Sequence, residues 1–313
     1  MNIERSPGVV GRIDLTAYCL ALALLVAGNC PCQDLPPMPL YSFGVIADVQ
    51  YADQPNSGAR HYRTSLQRLE VCVTELNKRD LKFVVQLGDF IDKGKTSFDA
   101  VLPHWKRLRT RKFHVIGNHD LPAMRSQTMK KLGLARSYYD FTVGDHWRFV
   151  VVDGMDVSLY GYPRGHPNRK QATQMLQALK AKKAPNAVIW NGGVGKEQLA
   201  WIRRVLKDAA RQQQRVVFFC HFPIHPKAGG AGLLLWNHRQ VTDLMDEFPC
   251  VAAWFNGHHH TGGYAHIKGV HHVTFMGMVE APKRNAYAVL DVFESRLVLN
   301  GVGKQPSRTL QLR

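Results

Sequence analysis

Six cysteines in 313 residues, at 19, 30, 32, 72, 220 and 250, are too few and too scattered for a disulfide framework in a chain of this size. Cys72 falls on an apolar helical face, and Cys220 and Cys250 lie in or beside apolar runs, so they read as buried small hydrophobes. Cys30-Pro31-Cys32 has no matching second pair, which argues against a zinc site there. Long hydrophobic runs are missing too. Thr16 to Gly28 is a run of thirteen apolar or small residues, short of the ~20 that a spanning helix needs. No fixed-period repeat and no long low-complexity segment is present, which argues against a solenoid or a fibrous chain. A basic run interleaved with aromatics, the usual track for single-stranded nucleic acid, is also absent. Acids are the scarcer charge, 24 against 41 Lys and Arg, for a formal net charge of +17. Residues 1–33 carry two charges of each sign, so the excess belongs to the rest of the chain. It suits anionic partners such as phosphates, nucleic acid or acidic surfaces, without choosing among them.

The apolar run follows Arg5 and Arg12, which reads as a signal peptide over about residues 1–28, with Val26 and Gly28 as the small residues at the cleavage point. The expectation is an exported, periplasmic or extracellular protein with no transmembrane span once matured. An uncleaved anchor and a plain N-terminal helix are the alternatives. The prolines of "PCQDLPPMP" then make an extended linker, so residues 1–40 stand apart from a domain over 41–313.

Within that domain, short β-rich runs alternate with amphipathic helices. Residues 41–49, 81–89, 112–120, 147–154, 215–223 and 250–260 read as strands. Helices are expected over His61 to Lys78, Phe98 to Leu108, Gln171 to Lys183, Lys196 to Gln213 and the later part of 233–248. Four strand-like pieces follow without helices, at 264–267, 271–276, 286–293 and 296–300. The alternation predicts an α/β class, and the strand-rich tail predicts a second sheet: two stacked sheets flanked by helices.

The polar residues fall at the ends of five strands, in GVIADVQ, QLGDFID, VIGNHD, FFCHFPIH and FNGHHH. Sites in open α/β sheets form outside the carboxyl ends of strands, so Asp48, Gln50, Asp89, Asn118, His119, His221, His258 and His260 are expected along one rim. Singly, Asp48 or Asp89 reads as a helix cap or turn acid, Asn118 as a turn residue, and His221 as a core histidine. Five such coincidences at strand ends read as a site. A carboxylate able to bridge two cations, Asp89, with mixed oxygen and imidazole donors suits a two-metal phosphoryl clamp and favours manganese or iron over a closed structural zinc site. If residues 258–260 are extended, His258 and His260 point one way and His259 the other, a bystander or a support.

With those residues in view, the chain resembles the calcineurin-like metallophosphoesterases. Asp48-Val49-Gln50, Gly88-Asp89-Phe90-Ile91-Asp92, Gly117-Asn118-His119-Asp120, His221 and Gly257-His258-His259-His260 occur in the order of that superfamily's motifs, with Gln50 where the wider superfamily has His. Gln50, together with "RHYRTSL", "WNGGVGKEQLAWI" and "HFPIHP", resembles the manganese-dependent ADP-ribose/CDP-alcohol diphosphatases. The resemblance implies a four-layer α/β/β/α sandwich and two divalent ions, manganese first, with iron or zinc as alternatives. It implies cleavage of the pyrophosphate of a small anionic substrate, with Asp48, Gln50, Asp89 and His260 on one ion and Asp89, Asn118, His221 and His258 on the other. His119 would act as general acid, oriented by Asp92. Arg60 and Arg63 suit a second phosphate, and read equally well as solvated charges at a helix start. Asn191-Gly192-Gly193 reads as a turn that the resemblance sets near the substrate. Rival readings are a phosphodiesterase, nuclease or phosphomonoesterase of the same superfamily, and a non-catalytic anion-binding module.

Overall fold

The computed structural model of the chain describes Met1, residues 38–121 and residues 124–313. The expected signal segment and its cleavage point lie outside the described residues. The chain divides into two compact units, Met1–Met38 and Pro39–Arg313, and the second carries every element below.

Among the described residues, twelve strands form two six-stranded sheets. The first has the order β12-β11-β10-β1-β2-β3, from β1 (Tyr41–Ile46), β2 (Phe83–Gln86), β3 (Arg111–His114), β10 (Ala286–Val292), β11 (Arg296–Gly303) and β12 (Arg308–Gln311). The second runs β4-β5-β6-β7-β9-β8, from β4 (Tyr139–Val143), β5 (Trp147–Val151), β6 (Arg215–Phe219), β7 (Val251–Asn256), β8 (Gly263–Ile267) and β9 (Val270–Thr274). Both are mixed. β1, β2 and β3 are parallel to one another, as are β5, β6, β7 and β9, so their carboxyl ends share a rim within each sheet.

Strand side chains alternate, and here both faces are apolar. Phe43, Val45, Phe83 and Val85 of the first sheet meet Phe149, Val151, Val217, Phe219 and Phe255 of the second in a core between the sheets. Phe43 lies edge-on to Phe149 at 5.4 Å and stacks on Phe83 at 4.7 Å. The outward residues bury themselves under helices. Ile46 and Val84 join Leu69, Cys72, Val73 and Leu76 of α1 (Tyr62–Leu76) and Phe98, Val101 and Trp105 of α2 (Ser97–Lys106). On the other side Val216, Phe218 and Trp254 join Ile202, Val205, Leu206 and Ala209 of a long helix, α5 (Lys196–Arg211), preceded by α3 (Arg125–Leu132) and α4 (Pro167–Ala181). A four-residue helix, α6 (Pro226–Gly229), and α7 (His238–Asp246) complete the set. The result is the expected α/β/β/α sandwich. Among the described residues no helix is long and apolar enough to cross a membrane.

Four elements had no strong sequence signal: α3, β4, α6 and β12. Arg125–Leu132 is mostly polar and buries only Arg125, Thr128 and Leu132, so it lacks an apolar stripe. β4 and β12 are short edge strands, and of their residues Leu310 alone is fully buried, so neither presents an apolar run.

Candidate metal centre

Asp48 and Gln50 follow β1, Asp89 follows β2, Asn118 follows β3, His221 follows β6, and His258 and His260 follow β7. The first four residues belong to one sheet's rim and the last three to the other's, and the loops lock together. His221 Nδ1 lies 2.9 Å from the Leu87 carbonyl, and the His258 backbone N–H donates to both Asp48 oxygens at 3.2 Å. Close approach demands missing side chains: a Cβ on Gly117 would stand 2.1 Å from Asp89 Oδ1. Asp48, Gln50, Asp89 and His258 hold left-handed backbone at φ 51°, 41°, 51° and 67°. Such conformations are uncommon outside glycine and persist where surroundings impose them.

The donors converge. Asp89 Oδ2 lies 3.1 Å from both Gln50 Nε2 and His221 Nε2, and Asp89 Oδ1 accepts the His119 N–H at 2.8 Å. His221 Nε2 is 3.2 Å from Asn118 Oδ1 and 3.1 Å from His258 Nδ1. His260 Nε2 stands 3.4 Å from Asp48 Oδ1. Asp48 is fully buried and Asp89 is 1% exposed, and together they concentrate negative charge beneath an open cleft of about 580 Å³.

Outer partners fix which imidazole nitrogen is free. The Leu87 carbonyl accepts a hydrogen bond from His221 Nδ1–H, which turns Nε2 toward the cluster. Asn191 Oδ1, 3.2 Å from His258 Nε2, leaves His258 Nδ1 as the free nitrogen. Glu280 Oε1, 2.7 Å from His260 Nδ1, turns Nε2 toward Asp48 in the carboxylate–histidine arrangement typical of metal sites. His221 Nε2 and His258 Nδ1, the two nitrogens without an outer partner, lie 3.1 Å apart and face the same point. Gln50 Oε1 is buried with no hydrogen-bond partner, a further oxygen ready for a cation. Burial depresses the pKa of His221, but Asp89 and Asp48 outweigh it and raise it to about 9, so without a cation Nε2 holds a proton that a bound metal ion would displace. Burial and the neighbouring His221 push His258 well below its ordinary value and keep it neutral, as a ligand must be. The residues present fit divalent cations.

Residues 41–262 match the calcineurin-like phosphoesterase family. The chain belongs to that family. A manganese-dependent ADP-ribose/CDP-alcohol diphosphatase of Oryza sativa subsp. japonica is 36% identical over 296 residues, 85% of this chain and 92% of that protein. The Homo sapiens protein of the same name is 30% identical, over 88% of this chain and 93% of its own. The crystal structure of a dimetal phosphatase from Danio rerio superposes with a TM-score of 0.81 at 28% identity, covering 88% of this chain and 100% of that one.

This calcineurin-like phosphoesterase brings together Asp48, Gln50, Asp89, Asn118, His221, His258 and His260, with His119 and Asp92 beside them. His119 Nδ1 lies 2.9 Å from Asp92 Oδ1. Burial lowers the His119 pKa, but Asp89 and Asp92 overcome it and the net shift is upward. Arg60 lines the cleft, 3.9 Å from Asp92. Arg63 does not: its guanidinium pairs with Asp53 at 2.6 Å among exposed side chains. Arg60 precedes the His61 cap of α1, so helical spacing does not carry Arg63 to the same place. The extended backbone expected at 258–260 is also absent. β7 ends at Asn256 and His258 is left-handed, so the outer histidines reach the cluster through a turn. His259 lines the cleft and its Nε2 lies 2.8 Å from the Thr261 hydroxyl.

Three residues of the site carried little signal in the sequence. Asn191, read as part of a turn, is buried against His258. Glu280 arrives because Met278 and Val279 donate to the Ala47 and Asp48 carbonyls, which lays residues 278–280 across the end of β1. Asp120 Oδ1 accepts from Phe90 and Ile91 N–H and its Oδ2 from Gly117 N–H, stapling the second motif loop to the third. The acid that ends "GNHD" was the available hint.

Proposed function

We propose that this phosphoesterase is a dinuclear-metal hydrolase that cleaves the pyrophosphate bond of ADP-ribose, CDP-alcohols or related nucleoside diphosphate derivatives. The observation that carries the reading is the group at the foot of the cleft, where ligand atoms of Asp89, His221 and His258 lie within 4.8 Å of one another with Gln50, Asn118, Asp48 and His260 adjoining them, in a chain whose relatives, matched over nearly their whole length, are named for this reaction. Asp48, Gln50, Asp89 and His260 would hold one divalent ion and Asp89, Asn118, His221 and His258 the other, manganese being the metal in the relatives' name. When bound, such ions supply Lewis acidity, which neutralises phosphoryl charge and makes water a nucleophile at neutral pH.

The chain's own groups do the rest. Asp92 accepts a hydrogen bond from His119 Nδ1–H and leaves Nε2–H for the cleft, where it donates to the departing phosphate oxygen. The upward-shifted pKa keeps that proton available. Arg60, on the cleft wall, grips the second phosphate through its guanidinium fork. The buried loops hold these groups in place, which is the positioning that phosphoryl transfer depends on.

The test is purified protein with Mn²⁺ against ADP-ribose, CDP-choline, cyclic nucleotides and DNA, with products identified. AMP plus ribose 5-phosphate, and CMP plus phosphocholine, are expected. Turnover confined to cyclic nucleotides or DNA would replace the reading with a phosphodiesterase or nuclease. The proposal extends to export, for which N-terminal sequencing of the mature protein should begin at Asn29.

A further inference from the structure

We propose that Trp190, flanked by Tyr160 and Leu233, is the platform on which the substrate's nucleobase stacks. The proposal rests on the diphosphatase reading above and adds the part of the site that would recognise the nucleoside. The cleft has two chemically different sides. Asp89, Asn118, His119 and His258 make a polar floor, whereas Tyr160, Trp190 and Leu233 supply apolar and aromatic surface.

Trp190 is set apart from the other tryptophans by its exposure, Trp201 being half-buried. Trp105, Trp147, Trp236 and Trp254 are buried, and three of them place the indole N–H on a fixed acceptor: His114 Nε2, the Val188 carbonyl and the Phe222 carbonyl respectively for Trp105, Trp236 and Trp254. Trp190 is 45% exposed, and its indole makes no hydrogen bond among the described residues. A large aromatic left open beside a polar floor is surface ready for a flat, apolar-faced ligand.

The platform is tied to the metal centre. Asn191, the next residue, accepts from His258 Nε2 through its side-chain oxygen and donates from Nδ2 to the Gly232 carbonyl at 2.9 Å. Gly232 precedes Leu233. A single buried amide therefore links His258 to the backbone beside both Trp190 and Leu233. The Trp236 indole holds the same turn through the Val188 carbonyl at 3.1 Å, and the Asn191 N–H closes it on that carbonyl at 3.2 Å. A base on Trp190 would thus be positioned relative to the floor where the pyrophosphate lies. Every base has a π face, so a stacking platform accepts purine and pyrimidine alike. The site should favour nucleotides over base-free diphosphates while discriminating little between adenine and cytosine.

The experiment compares wild type, Trp190→Ala and Trp190→Phe, loaded with Mn²⁺, on ADP-ribose, CDP-choline and a dialkyl diphosphate without a base. Trp190→Ala should raise KM about tenfold for both nucleotides with kcat changed far less, and should narrow the preference over the dialkyl compound by a similar factor. Trp190→Phe should restore most of the preference. In parallel, AMP and CMP titrations should quench tryptophan fluorescence in wild type and lose that component in Trp190→Phe. An unchanged KM in Trp190→Ala, or an equal rise for the base-free compound, overturns the platform even if both nucleotides are good substrates. Quenching that depends on Trp190 in a protein that hydrolyses neither nucleotide supports the platform and removes the diphosphatase reading instead.

Discussion

Replacing Asp89 with Asn tests the centre at the point where its contacts meet. Asp89 touches Gln50, His221 and the His119 backbone, and the proposal puts it on both ions. The substitution keeps side-chain size and an oxygen for the His119 N–H, so the fold should survive. It also removes a buried negative charge that helps push Asp120, itself buried, up to about 7. The loss falls on cation binding, because neither proposed donor set stays complete. Wild type in Mn²⁺ at a hundred times its dissociation constant should gain about 2.7 kcal/mol of stability. For a domain of this size that corresponds to a Tm rise of roughly 5–10 °C. Asp89→Asn should show little of that rise and lose about a thousandfold or more in kcat. Thermal denaturation with and without Mn²⁺, together with metal content by mass spectrometry, measures both. An Asp89→Asn protein with the wild-type Mn²⁺-induced Tm shift and near-normal turnover would refute the assignment of this cluster as the metal centre.

Other perturbations separate support from chemistry. Glu280→Gln weakens the acceptor that orients His260, and metal affinity measured by titration should fall about 10–100-fold. Asp120→Ala strips three buried N–H groups of their acceptor and should cost about 3 kcal/mol or more in urea denaturation, with Asp120→Asn recovering part. Arg63→Ala should leave KM and kcat unchanged, whereas Arg60→Ala should raise KM. Burial, with His225 beside it, depresses His272 to about 4, away from the centre. Its folded pKa lies below the unfolded value, so its stabilisation is present above about pH 6.5 and is lost as pH falls toward 4. The change is about 3 kcal/mol. A His272→Asn variant should show a flatter stability profile over that range, followed by urea midpoints.

How much of this was legible depends on range along the chain. Parallel strands buried on both faces must be nearly continuous apolar runs, so β1, β2, β6 and β7 stand out in the sequence, and the polar residue that ends each run marks the rim. α3 and β12 were silent because neither carries a full apolar face. Arg60 and Arg63 look equivalent in "ARHYRT", yet the helix begins between them and sends one to the cleft and the other to Asp53.

The sequence by itself set out the candidate donors and their order: Asp48, Gln50, Asp89, Asn118, His221, His258 and His260, each just past a run that reads as a strand. Chain connectivity and hydrophobic patterning are local properties, and they suffice for that. Only the tertiary structure decided which nitrogen of each histidine faces inward, since Leu87, Asn191 and Glu280, brought in from other parts of the chain, accept from the other ring nitrogen. It also decided that Asn191 and Glu280 belong to the site at all. An imidazole's direction is fixed by its partners, and those partners become neighbours only when two sheets close on each other.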